Sequence, residues 1–219
     1  EISECLVGSE MCIRDRKGSA QKRKMDDKIE NTSKPGVAYY HLPGLFEFYG
    51  LYRIFLPLFY HHREYFYNWC AIGSIYGALG DCIWGGGRTS FGVQDPEDVM
   101  DLMREYGISA RLTFSNSLLR EEHLADIKCN ALCKLFENSG GAQNGVIVHS
   151  DLLLRYLESR YPGLYFVSST TKVLTEFPQL QAELNRDDFR YVVPDFRLNK
   201  EFEQLNNLPQ PQNCLLYTS

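Results

Sequence analysis

The hydrophobic positions of this chain follow two different patterns, which meet near Tyr67. Between residues 44 and 66 the aromatic and leucine side chains recur at helical spacing, and Pro57 predicts a kink or break in that segment. The pattern predicts one amphipathic helix or two short ones. We expect this helix to cover part of a larger core; docking of a partner or of a membrane surface is the alternative.

After Tyr67, short apolar runs alternate with amphipathic stretches. One such stretch has Asp95 as the predicted N-cap, Pro96 at the first helical position and Gly107 at the end. The apolar runs predict six strands, which begin at Trp69, Asp81, Ile108, Asn144, Leu164 and Tyr191. Because strands that alternate with helices usually pair in parallel through right-handed crossovers, the fold class is α/β.

Two α/β architectures remain, an open doubly wound sheet and a barrel with too few strands. The glycine-rich run GGGRTSFG at residues 85–92 lacks both the spacing of a dinucleotide fingerprint and the ending of a P-loop. Nearly every predicted strand ends in small polar residues, and (β/α)8 barrels build their active sites at those strand ends. We therefore predict an incomplete, TIM-like parallel (β/α) barrel of about six of the eight strands, with an N-terminal aromatic helical segment.

The predicted mouth of the barrel supplies the candidate site residues. His149 directly follows an apolar strand and is the predicted acid–base catalyst, with Asp195 as the second catalytic candidate. Arg88 lies on the glycine-rich turn, where it is predicted to bind an anionic group of the substrate. The other predicted substrate-binding residues are Asn116, Ser150, Ser169 and Arg197. The alternative for each residue is structural, such as an ion pair between Asp195 and Arg197.

Two stretches carry a resemblance to a known family. GDCIWGGGRTSFG at residues 80–92 resembles the GADAVYFGG turn of the collagenase-like peptidase family. NGVIVHSDLLLRYLESRYPGLYFVSSTT at residues 144–171 is similar to that family's strand ending VIVSDP, its helix and the next strand ending HLSTQ. The resemblance spans roughly residues 71–200 and follows the strand order. The chain departs from the family where His149 precedes the Ser-Asp pair and where the Gln after Ser-Thr is absent.

The resemblance implies a divergent, C-terminally truncated barrel enzyme with an unknown substrate. The family includes peptidases and iron–sulfur hydroxylases of quinone precursors and RNA, and its cluster cysteines lie beyond the point where this chain stops. We therefore expect no cofactor in this chain and a [4Fe–4S] cluster only in a longer protein. The alternatives are a non-catalytic barrel that serves as a binding or scaffold protein, and a sugar-phosphate or amino-acid barrel enzyme.

Net charge and cysteine content restrict the partners and the cellular location that we expect for the protein. The net charge of −5 at pH 7 gives no electrostatic reason to expect nucleic acid or a membrane as partner. The cysteines between residues 17 and 213 are too few and too scattered for a disulfide framework, which indicates reduced thiols and a cytoplasmic location. Cys129 and Cys133 share one face of a predicted helix, where buried packing is favoured over a metal or redox pair.

The ends of the chain are treated separately from the fold. With suitable codons, the run from Glu10 to Arg16 and residues 214–219 can be read as one inverted nucleotide repeat. Residues 1–16 and 214–219 thus resemble translated sequencing-library adapter, and we expect both stretches to be artefacts without a buried face. Residues 17–37 are predicted to be a disordered leader, with Met25 as a possible start. Residues 38–67 form the predicted helical segment and residues 68–213 the partial barrel. Its open sheet edges are expected to promote self-association.

Overall fold

The structure, a computed structural model, describes residues 36–86 and 94–216. Within these ranges, strands and helices alternate along the chain. The strands are β1 (Ala38–Pro43), β2 (Cys70–Gly77), β3 (Ser109–Phe114), β4 (Gly145–Val148), β5 (Tyr165–Ser168) and β6 (Tyr191–Val192). The α-helices are α1 (Tyr49–His61), α2 (Pro96–Glu105), α3 (Ile127–Asn138), α4 (Asp151–Arg160), α5 (Phe177–Leu184) and α6 (Phe202–Asn206).

The six strands form one parallel sheet whose spatial order is the order of the chain, from β1 to β6. The sheet is strongly curled. His41 on β1 and Tyr191 on β6 belong to opposite edges of the sheet, yet their ring centroids are 6.3 Å apart. This curled sheet with helices on its outside is an incomplete TIM-like barrel, which confirms the predicted fold class.

Two strand assignments differ from the prediction. The run that begins at Asp81 is not a strand, because Asp81 and Gly86 both have a positive φ, of 60° and 82°, and Ile83–Gly85 forms a 3₁₀ turn between them. The first strand is instead β1, which lies in the segment predicted to be helical. Its sequence AYYHLP does not alternate strictly between apolar and polar residues and is therefore hard to recognise as a strand; the register shift between Tyr40 and His41 places the extra residue, Gly73, on β2.

The main core lies between the convex face of the sheet and the helices. Every second residue of β3 and β4, such as Leu112 and Val146, points to this side and is fully buried. The helices contribute buried residues of their own, among them Leu56, Met103 and Leu157. Burial of such side chains from both layers is the main stabilising term of the fold.

The concave face of the sheet has a second, smaller cluster of Ile147, Tyr165 and Val167. A Cβ atom on Gly145 would lie 2.5 Å from Cε2 of Tyr165, so the tyrosine ring passes directly over this glycine. The missing side chain at residue 145 allows Tyr165 to reach across the sheet towards β3. Interior side chains therefore fill the space inside the curled sheet.

The C-terminal end of the described chain packs against β6. Cys214 is buried and forms a parallel bridge with Val192, and the Leu215 N–H donates to the Val192 carbonyl at 2.9 Å. The expectation that this stretch has no buried face is wrong, because an apolar run here meets the unpaired edge of β6. Its adapter origin stays a prediction, and residues 1–16 lie outside the described residues.

A search for membrane spans gives a negative result for the residues that the structure describes: none of their helices combines the length and apolar character needed to cross a bilayer.

Candidate active site at the carboxyl edge of the sheet

Sheet hydrogen bonding continues for one residue beyond the ends of β4 and β5. The His149 N–H donates to the Phe114 carbonyl at 3.2 Å, and the Ser169 N–H donates to the Val148 carbonyl at 3.1 Å. His149 and Ser169 are therefore neighbours at the carboxyl edge of the sheet. This is the edge at which (β/α) barrels build their active sites.

A short hydrogen-bond chain joins the side chains at this edge. His149 Nδ1 lies 2.9 Å from Thr171 Oγ1, which in turn lies 2.9 Å from Ser169 Oγ. Ser169 is buried, His149 is half-buried and Thr171 is exposed. The buried serine fixes the position of the threonine hydroxyl, and the threonine faces solvent beside the imidazole.

The surroundings of His149 favour its neutral form. Burial lowers the pKa of His149, and the nearby Lys172 charge lowers it further, against an opposing effect of Asp151. The imidazole is therefore unprotonated at neutral pH. An unprotonated imidazole in contact with a hydroxyl is the arrangement that a general base requires.

Lys172 is held in place by a charged network behind the mouth. Its Nζ lies 2.6 Å from Glu183 Oε1 and 3.4 Å from Asp151 Oδ1. Burial opposes the ionisation of Glu183, but hydrogen bonds from Lys172 and Ser168 keep the pKa of this carboxyl below its ordinary value. Lys172 is thus a fixed positive charge next to the imidazole rather than a mobile surface lysine.

The other predicted site residues follow their strands as expected, but their side chains cap helices, bond to nearby backbone or pair with a neighbouring charge. Asn116 donates from Nδ2 to the Ile83 carbonyl at 2.8 Å, and its Oδ1 accepts from the Leu118 N–H. Ser150 is the N-cap of α4. Asp195 accepts from the Arg197 N–H at 3.0 Å and pairs with the Arg197 guanidinium at 2.9 Å. Their roles in catalysis or substrate binding stay predictions. Arg88 lies outside the described residues.

A carboxylate that the sequence analysis did not select also lies at this edge. Glu47 belongs to the connection between β1 and α1 and lines a pocket of about 200 Å³ together with Tyr76 and Gly77. Its Oε2 atom is buried and has no hydrogen-bond partner within residues 36–86 and 94–216. The sequence analysis missed Glu47 because it did not predict β1. Once β1 is recognised, Glu47 is seen to follow the end of a strand, as the other candidate residues do.

Below the mouth, the barrel interior holds a buried cation. Arg111 on β3 is only 2% exposed, and its Nε donates to the Tyr165 hydroxyl at 2.7 Å. Its guanidinium carbon lies 5.0 Å from the centre of the Tyr191 ring. Among the residues with a described position, no carboxylate forms an ion pair with Arg111. Of the residues that the structure describes, two tyrosines contact this charge and stabilise it.

Another cavity, of about 510 Å³, lies at the opposite edge. Its lining includes Gln143, Leu164 and Arg190, which precede β4, β5 and β6 respectively. The amino edge of a (β/α) barrel normally contributes to stability rather than to catalysis. We therefore regard the carboxyl edge as the candidate active site.

Metal ligands do not cluster in the described part of the chain, where no group of three or more His, Cys, Asp or Glu side chains could hold a metal ion. Cys82 and Cys129 are close, with their sulfur atoms 2.7 Å apart. The iron–sulfur cluster expected from the family resemblance stays a prediction.

Comparison with known proteins supports the fold. No protein-family model matches the sequence, and no curated protein matches it. Among solved structures, the chain is similar to the U32 peptidase Mk0906, with a TM-score of 0.52 and 15% identity over 86% of this chain and 70% of that chain. At this identity the similarity shows the barrel fold alone. The predicted resemblance to collagenase-like peptidases is supported to that extent.

Proposed function

We propose that this chain is part of a barrel enzyme that hydrolyses peptides, with its chemistry at the carboxyl edge of the sheet. The observation that carries the proposal is the hydrogen bond between His149 Nδ1 and the exposed Thr171 hydroxyl, at 2.9 Å. The fold shared with a U32 peptidase supports the choice of reaction class.

In the proposed mechanism, Thr171 is the nucleophile and His149 is the general base. The threonine oxygen attacks the peptide carbonyl while Nδ1 of His149 takes up the hydroxyl proton. The C–N bond then breaks, the amine leaves with the proton from His149, and the acyl group remains on Thr171 as an ester. A water molecule, deprotonated by the same imidazole, hydrolyses the ester and restores the threonine. The buried Ser169 hydroxyl, 2.9 Å from Thr171 Oγ1, orients the nucleophile.

The test compares variants of Thr171 and His149 in the cleavage of internally quenched peptides. We expect His149→Gln and Thr171→Val to lower kcat by about 10²–10⁴-fold, the usual contribution of a general base. Thr171→Ser retains the hydroxyl and should keep most of the activity. His62→Gln is the matched control, because His62 is exposed and contacts Glu64 away from the mouth.

Two results would contradict this function: peptide cleavage that is unchanged in His149→Gln, or no cleavage of any peptide by the unmodified chain. The second result would favour the other candidate, a barrel that binds without catalysis. That candidate is supported by the engagement of Asn116, Ser150 and Asp195 in capping and turn contacts. Retained peptide binding without turnover would distinguish it.

A further inference from the structure

A second pocket opens at the same edge of the sheet as His149. Pro43 and Gly77 are the last residues of β1 and β2, and both line the pocket of about 200 Å³. This volume is below the roughly 300–1,000 Å³ of sites that enclose a whole small molecule. The pocket is therefore suited to one side chain or one end of a ligand.

The polar group of this pocket is the Glu47 carboxylate. A Cβ atom on Gly77 would lie 3.2 Å from Glu47 Oε2, so this oxygen lies close to the end of β2. Oε2 is buried and accepts no hydrogen bond from any residue with a described position. Burial, with Tyr76 and the Glu47 carboxylate nearby, raises the pKa of Tyr52, which agrees with this position of the carboxylate. A buried carboxylate oxygen without a donor is costly, and a ligand that brings a donor removes the cost.

The walls of the pocket are aromatic and apolar. Phe48 and Tyr76 line it beside Pro43. Gly44 has a φ of +83°, and a Cβ atom there would lie 2.2 Å from the Phe48 ring, so the absence of a side chain at residue 44 lets the ring fold over the pocket. Aromatic faces around a carboxylate attract organic cations through ion pairing and cation–π contact.

We propose that the Glu47 pocket binds a primary ammonium group of the substrate. The inference rests on the proposed function and gives it a substrate class: peptides that present either a lysine side chain or a free amino terminus. In both cases the ammonium donates to Glu47 Oε2, and the aliphatic carbons next to it pack on Phe48 and Pro43.

The first experiment measures binding to the 219-residue chain by NMR titration. We expect n-butylammonium to bind saturably and n-butanol, which has a similar shape without the charge, to bind at least tenfold more weakly. Glu47→Gln should weaken ammonium binding at least tenfold. Glu64→Gln, a change at an exposed glutamate, should leave it unchanged. Equal binding of the alcohol, unchanged binding in Glu47→Gln, or no saturable binding would overturn the proposal. If Glu47→Gln does not fold, the ammonium and alcohol comparison on the unmodified chain decides.

Three peptides distinguish the two sources of the ammonium group: one with a free amino terminus and no lysine, one acetylated with a lysine, and one acetylated without a lysine. The first or the second should bind more tightly than the third, and only that preference should be lost in Glu47→Gln. Three peptides of equal affinity would overturn the proposal.

A further variant separates this site from the catalytic proposal. Thr171→Val removes the proposed nucleophile and should leave ammonium binding intact. Ammonium binding by a chain without peptidase activity would refute the proposed function and keep the pocket. If Glu47→Gln cleaves peptides as well as the unmodified chain does, and no ammonium binding is found, the ammonium-binding proposal is refuted and the proposed peptidase function is kept.

Discussion

Inside the barrel, the surroundings of a single residue can shift its pKa far from the ordinary value, and His41 is an example. The imidazole Nδ1 lies 2.8 Å from Ser74 Oγ, and the ring faces Tyr191. Burial and the Arg111 charge lower the pKa of His41 to about 3. His41 therefore stays neutral in the folded protein at pH values where a histidine in the unfolded chain is already protonated.

This difference predicts an acid-sensitive stability. Between about pH 6.5 and about pH 3 the unfolded state binds a proton that the folded state excludes, so the free energy of unfolding falls as the pH falls. The slope for one group approaches about 1.4 kcal/mol per pH unit. Urea unfolding at a series of pH values should show a shallower decline for His41→Gln than for the unmodified chain and for His62→Gln. Identical slopes would contradict this assignment.

The close sulfur atoms of Cys82 and Cys129 predict a disulfide under oxidising conditions. Both thiols are buried and 2.7 Å apart, and 47 residues separate them in sequence. Diamide should take two hydrogen atoms from the pair, forming the S–S bond and the corresponding hydrazine. Loop-closure entropy gives a stabilisation of about 3–4 kcal/mol.

Peptide mapping without reductant would detect the Cys82–Cys129 link, and thermal unfolding would report the gain in stability. Cys133→Ser should retain the link, and Cys82→Ser should lose it. A link to Cys133 in the unmodified chain would be inconsistent with the packing described above.

At the scale of elements, two glycines should respond in opposite ways to the same substitution. Gly145→Ala on β4 forces a methyl group against the Tyr165 ring, which hydrogen bonds to Arg111 and Ser109 hold in place. We expect a loss of about 1–3 kcal/mol. Gly50→Ala in α1 meets no atom within 4 Å and should stabilise by about 0.5–1 kcal/mol. Urea unfolding measures both, and a neutral Gly145→Ala would show that the tyrosine is free to move.

The sequence predicts some elements better than others, for physical reasons. The unit β4–α4–β5 is predicted well because its strands are uniformly apolar and Ser150 caps the helix with its own side chain. The strand β1 is missed because AYYHLP does not alternate strictly between apolar and polar residues and lies just before an amphipathic helical pattern. A strand at Asp81 is predicted wrongly, since an apolar run alone does not reveal a left-handed turn.

The same limits apply to the candidate site. Position after an apolar strand is enough to select His149 and Ser169, which the structure brings together. Thr171 is missed as a site residue because its contact with His149 spans 22 residues of sequence. Glu47 is missed because it was assigned to a helix rather than to the end of β1. The contacts and burial of a side chain depend on the tertiary fold, so they cannot be predicted from a local sequence pattern.

The whole molecule exposes surfaces that predict self-association. Within the described residues the sheet ends at β1 on one side, and on the other side only Cys214 and Leu215 pair along β6; in addition, one face of α1 is apolar and exposed, with Ile54 at 72% and Leu51 at 59% exposure. We expect concentration-dependent dimers or larger species in analytical ultracentrifugation. Replacing Leu51 and Ile54 by Lys should shift the chain towards monomer, while Ile127→Lys, at an isolated exposed position, should not. A strictly monomeric chain at high concentration would contradict this expectation.

The agreement between strand order in the sheet and strand order in the chain bears on how the protein is made. Each strand from β2 to β6 pairs with the strand that the ribosome has produced just before it. A nascent chain can therefore add one strand and one helix at a time in the direction of translation, without waiting for a distant partner. Growth of the sheet then follows the pace of synthesis rather than a late search among completed segments.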